Sequence, residues 1–154
     1  MKTRKLYWTD CGLAAWLANI RSRKDLQNRM DQGFWLEQTI FQSLQSWRSL
    51  DAASRRIWFW RDRSGREVDF VLEKDGALVA LEVKASRQVG PADASGIAAF
   101  RSSLGRGGRF LRGVVLHGGP ARPLADRVHA LPWSWLVPRV AQQADKRSRA
   151  PSTP

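Results

Sequence analysis

The sequence predicts a mixed α/β domain built on a central sheet. Two observations carry this. A long run near Phe34 to Trp47 repeats apolar residues at helical spacing. After it come short β-prone runs around the turn Lys74-Asp75-Gly76, then a further helix-strand alternation. At 154 residues the chain suits one domain, and a 43% hydrophobic content is enough to bury a core.

Taken in order, Asp10 to Ile20 reads as a helix, with Leu13, Trp16, Leu17 and Ile20 on one side. A polar stretch, Arg21 to Gln32, follows. Gly33 precedes the strong helix, whose stripe is Leu36, Ile40, Phe41, Leu44 and Trp47. Ile57 to Trp60 is a short strand, with Trp58 and Trp60 assigned to one core-facing side. Arg66 to Leu72 and Ala77 to Lys84 form a hairpin. Ala92 to Leu104 is a helix with Ile97, Phe100 and Leu104 inward, ended by Gly105 to Gly108. Arg112 to His117 and Arg127 to Leu131 are strands. Trp133 to Val140 is a short terminal helix or irregular segment. Residues 1–140 are expected to form the domain, and 141–154 a basic, disordered tail.

Composition narrows the function. Lys and Arg number 26 against 14 Asp and Glu, a net charge of +12, which suits a polyanionic partner. One cysteine, Cys11, excludes an intrachain disulfide framework, and with only His117 and His129 a Cys/His metal site is disfavoured. Both histidines and Cys11 read as structural. No stretch approaches the roughly 20 apolar residues of a membrane span. The apolar run after the basic N-terminus is too short for a signal peptide. The default expectation is a reducing, cytoplasmic setting.

The hairpin is the informative segment. A two-residue loop at Asp75-Gly76, or a four-residue loop from Lys74 to Ala77, pairs Lys74 with Ala77. Carried along the strands, that register sets Asp69 opposite Glu82 and Glu67 opposite Lys84. Strict alternation places these four on one face, with Val68, Phe70 and Leu72 on the other. Opposed carboxylates cost about 0.2–1 kcal/mol, more if buried. A compensating cation is therefore expected: Lys84, or a divalent metal such as Mg²⁺ or Mn²⁺, which oxygen donors suit. An ordinary solvated face with cross-strand ion pairs would carry the same residues. Glu37, three and four residues before Ile40 and Phe41, points toward the core edge and adds a third acid. It also suits the first turn of its helix by charge alone.

These residues resemble the PD-(D/E)xK, or restriction-endonuclease-like, nuclease superfamily. Its pattern of a helix acid, a strand Asp and then (D/E)-x-K is matched by Glu37, Asp69 and Glu82-Val83-Lys84. The chain is also similar to an uncharacterised domain at the C-terminus of prokaryotic AAA-type ATPases. The similar blocks are Lys5 to Leu13, Gly33 to Glu37, Phe59 to Asp62, Gly65 to Val71, Leu81 to Lys84 and Val128 to Pro132.

The resemblance implies a mixed central sheet flanked by helices in an αβββαβ core. It also implies Mg²⁺-dependent cleavage of DNA, with Glu37, Asp69, Glu82 and Lys84 catalytic. Glu37, Asp69, Glu82 and the Val83 carbonyl would hold Mg²⁺ or Mn²⁺, and Lys84 would orient water or stabilise charge on phosphorus. Glu67 would tune Lys84 or form a plain salt bridge with it. Arg61, Arg66 and Arg87 flank the site as candidates for DNA phosphates, or as solvated cations. The chain lacks G-x-x-x-x-G-K-[ST], so no ATP binding is expected. DNA is the expected partner and a membrane is not. An AAA-type ATPase and a second copy of the chain are candidate protein partners. The competing expectation is a catalytically silent nuclease-fold module that binds DNA for, or regulates, such an ATPase.

Overall fold

A computed structural model describes residues 5–105 and 108–136. Its helices are α1 (Cys11–Leu17), α2 (Arg23–Gln27), α3 (Gln32–Ser49) and α4 (Ser95–Ser103). Its strands are β1 (Arg55–Arg61), β2 (Glu67–Lys74), β3 (Ala77–Val83), β4 (Arg109–His117), β5 (Arg122–Ala125) and β6 (Val128–Pro132). Short 3-10 turns, Pro91–Ala94 and Trp133–Trp135, precede α4 and follow β6. The expected tail at 141–154 lies outside the described residues, as does the end of the segment expected from Trp133 to Val140.

The six strands form one mixed sheet in the order β1-β2-β3-β4-β6-β5. β1, β2 and β3 are antiparallel neighbours, β4 runs parallel to β3 and to β6, and β5 is antiparallel at the far edge. From α3 to β4 the order is αβββαβ, as expected. A helix covers each face. On one, Ile40 and Leu44 of α3 pack with Phe70, Leu81, Val114 and Leu116. On the other, Ile97 and Phe100 of α4 pack with Val68, Val71, Ala80 and Val115. Each large side chain so buried contributes about 1.5–3 kcal/mol.

The hairpin follows the expected register in every pair from Lys74↔Ala77 to Phe70↔Leu81. Asp75 (φ 51°) and Gly76 (φ 74°) both take the left-handed conformation that a two-residue hairpin loop requires.

The assignment of faces is different from the one expected. Along β1–β2, Trp58 pairs with Val71 but Trp60 pairs with Val68. Two residues of β2, Asp69 and Phe70, therefore oppose the single Phe59, which is a β-bulge. The bulge breaks alternation, so Val68 joins Val71 on the α4 side while Phe70 and Leu72 face α3. Both faces are apolar, and there is no separate charged face. The ionisable residues gather instead at the strand ends away from the turn, where pairing between β2 and β3 has stopped.

Other differences have local causes. Helix α2 lies in the stretch read as polar; Ser22 and Asp25 form a capping box that starts it. β5 was not expected, and its Pro123 suits only an edge strand, which it is. Trp58 is 52% exposed on the edge strand β1 and bonds Glu73 (2.7 Å), so it is not core. Trp60 packs edge-on against Phe100. Gly96 permits close packing of α4, since a Cβ there would lie 2.1 Å from the Glu67 carbonyl oxygen. Among the described residues no helix is long and apolar enough to cross a membrane.

Candidate functional site

The bulge and the hairpin together position Asp69. It is 6% exposed, and its Oδ2 accepts the backbone N–H of Val83 at 2.9 Å. That bond ties the end of β2 to β3 just beyond the last ladder pair. Its other oxygen, Oδ1, accepts from the Lys5 ammonium at 2.6 Å.

Lys5 is the centre of an acidic cluster. Its Nζ lies 3.0 Å from Glu37 Oε1 on α3 and 3.7 Å from Glu67 Oε1 on β2, as well as against Asp69. Burial opposes the Lys5 charge, but Asp69 and then Glu37 outweigh it and hold the pKa above the ordinary lysine value. Tyr7 donates to the same Glu37 oxygen. Burial and that carboxylate drive the phenol pKa upward. Tyr7 also stacks on Phe41, ring centroids 4.4 Å apart. Next to it, Trp8 is held by the buried amide of Gln38, which accepts from the Trp8 N–H (2.9 Å) and donates to its carbonyl (2.5 Å). Residues 5–8 thus form a strap that directs two polar heads, Lys5 and Tyr7, onto the acids.

Glu82 and Lys84 make the second half of the site. Lys84 Nζ lies 3.1 Å from Glu82 Oε1. The other oxygen, Oε2, is buried with no protein hydrogen-bond partner. Burial first, and the nearby charge of Asp69 second, raise the Glu82 pKa to about 7. Burial also works against the Lys84 charge, but Glu82, then Asp69 and Asp93, keep its pKa above the usual lysine value. The expected Glu67–Lys84 pair is replaced: Glu67 faces Lys5 and Arg61 (3.9 Å), because pairing between β2 and β3 has ended before reaching it.

The sequence-predicted acids Glu37, Asp69 and Glu82 and the cation Lys84 are therefore brought to one end of the sheet. Of the three expected phosphate contacts, Arg61 joins the cluster through Glu67. Arg66 pairs with Asp62 (2.7 Å). Arg87 is exposed in the loop after β3, with no ion pair to the acids among the described residues. His117 is 1% exposed; Gly119 N–H lies 3.2 Å from its Nδ1, the Arg87 carbonyl lies 3.3 Å from the same nitrogen, and the Pro120 carbonyl lies 3.2 Å from its Nε2.

Sequence reasoning missed Lys5, Tyr7 and Gln38. The first two are spaced by one residue, so an extended segment aims both the same way. Gln38 lies three residues before Phe41, a polar side chain on the margin of the apolar stripe.

Oxygen donors of this kind suit a hard divalent ion, and a buried carboxylate oxygen without a partner beside a second carboxylate is the observation that fits one. Two of the donors are already engaged, because Lys5 holds Asp69 Oδ1 and Glu37 Oε1. As arranged around it, no group of three or more His, Cys, Asp or Glu among the described residues converges on one metal position.

No curated protein matches the chain. Residues 32–136 match the family described as Domain of unknown function (DUF4143), a domain found in C-terminal regions associated with AAA-type ATPases. The match starts at the first residue of α3 and runs past β6, so it takes in all six strands and leaves out the strap. The chain belongs to the DUF4143 family.

Proposed function

We propose that this domain hydrolyses DNA phosphodiester bonds with Mg²⁺ or Mn²⁺, as a restriction-endonuclease-like nuclease of PD-(D/E)xK type. The observation that carries the reading is Glu82: one oxygen on Lys84, the other buried and unpartnered, with Asp69 near enough to raise its pKa. The αβββαβ order and the net charge of +12 support it.

Asp69, Glu82, Glu37 and the Val83 carbonyl would hold the ion. When bound, it would supply Lewis-acid polarisation of the phosphodiester and a more acidic water. Lys84 keeps its proton beside Glu82 and offers a fixed positive charge to the phosphate. Val83 N–H fixes the Asp69 carboxylate, so the acid needs little reorganisation during the reaction. Arg61, Arg66 and Arg87 would hold flanking phosphates, which makes binding fall steeply with salt.

Nicking of supercoiled DNA in Mg²⁺ or Mn²⁺, absent in Asp69→Ala and Lys84→Ala, is the expected result. Metal-independent DNA binding without cleavage, unchanged in Asp69→Ala, would sink the reading. That outcome would favour a catalytically silent DNA-binding or regulatory module of an AAA-type ATPase. The hold of Lys5 on Glu37 and Asp69 is the observation on that side.

A further inference from the structure

The strap gives the acidic site an occupant of its own. Lys5 places one ammonium among three carboxylates, from Glu37, Glu67 and Asp69. Both Asp69 oxygens are engaged: Oδ1 accepts from Lys5 and Oδ2 from Val83 N–H. Glu37 Oε1 is taken by both Lys5 and Tyr7. A divalent ion using Asp69 Oδ1 would share that oxygen with a positive charge only a few ångströms away, and repulsion between them would not be screened by bulk water. Glu82 Oε2, buried and unpartnered, lacks such a competitor.

The strap is also built so that Lys5 can leave without unfolding it. Its firm anchors are further along the chain: Tyr7 stacks on Phe41 and lies against Phe70, and Gln38 holds both backbone polar groups of Trp8. Leu6, between Lys5 and Tyr7, is 81% exposed and anchors nothing. Beyond its carboxylates Lys5 has the Phe59 ring, 5.2 Å from the ammonium. The Tyr7 ring and the Trp8 backbone can stay in place while the Lys5 head swings outward.

We propose that Lys5 is the resident cation of the acidic site, and that a divalent ion loads by displacing it. The strap is then an internal lock on the metal site. This rests on the metal-dependent reading above and adds to it a control exerted on the same acids.

Calorimetric titration of the full chain with Mn²⁺ tests this. Lys5→Met, which keeps the stem and removes the charge, is expected to bind Mn²⁺ at least tenfold more tightly than the wild type. Adding Glu82→Gln to Lys5→Met should abolish the gain. Equal affinity in wild type and Lys5→Met, lost on Glu82→Gln, would overturn the lock and leave the metal reading standing. Absence of binding in both chains would overturn the metal reading and the lock with it. A readout on the wild type covers the case in which Lys5→Met does not fold. Acetylation of the Lys5 amine, followed by mass spectrometry, should become several-fold faster in saturating Mg²⁺. An unchanged rate refutes displacement.

Discussion

Gln38 of α3 grips Trp8 by both backbone groups, accepting from its N–H at 2.9 Å and donating to its carbonyl at 2.5 Å. The side-chain amide acts as a one-residue strand partner, and it is fully buried. Through it the strap is pinned to the helix that carries Glu37, one residue away.

Gln38→Leu keeps the volume and removes both bonds. The expected cost is about 1–3 kcal/mol, since buried backbone groups of the strap lose their partner. Urea unfolding measures the loss. Limited proteolysis should show faster cutting next to Trp8 while the sheet stays resistant.

Glu82 makes stability depend on pH in an unusual direction for a carboxylate. Its folded pKa, about 7, lies above the unfolded value, so the folded state binds the extra proton. This contribution is fully present below about pH 4.5 and is lost as pH rises through about 7, a difference of about 3 kcal/mol. Glu82→Gln removes that slope. Unfolding curves across pH 4 to 8 should show the variant gaining on the wild type toward the alkaline end.

Asp69→Asn keeps an oxygen for Val83 N–H but turns an NH2 group, itself a donor, toward the Lys5 ammonium. Loss of the charged bond should cost about 1.5–3 kcal/mol. Without the Asp69 charge the Glu82 pKa should also fall below about 7, because that charge is its second cause after burial. A carboxyl-carbon NMR titration of Glu82 in both proteins reads the shift.

Gly96→Ala places a methyl 2.1 Å from the Glu67 carbonyl oxygen. Backbone cannot yield as a flexible side chain does, so α4 must move off β2. A loss of about 2–3 kcal/mol is expected. Thermal unfolding should show it, with Ala substituted for Ser102 as an exposed control on the same helix.

Much of the fold was legible because its signals are local. The stripe from Leu36 to Leu44 marks α3, and Asp75-Gly76 can close a hairpin in few ways, so the register from Phe70 to Lys74 follows. The expected pairing of Asp69 with Glu82 lies one step beyond the last ladder pair, Phe70↔Leu81. The faces were not legible. Alternation is a rule for an unbroken strand, and only the pairing with β1, a distant segment, shows where β2 breaks. Lys5 was hidden for another reason. A lysine near the start of a chain reads as a solvated cation, and only the tertiary meeting of the strap with α3 and β2 surrounds it with acids.

The bulge in β2 has a consequence for chain length. With Asp69 deleted, Val68, Phe70, Val71 and Leu72 would alternate without interruption, and Phe59 would have Phe70 alone opposite it. Asp69 is thus the surplus residue of its strand. A one-codon deletion there would tidy the β1–β2 ladder while removing the carboxylate that joins Lys5 to β3, which makes the sheet and the site separable by a single residue.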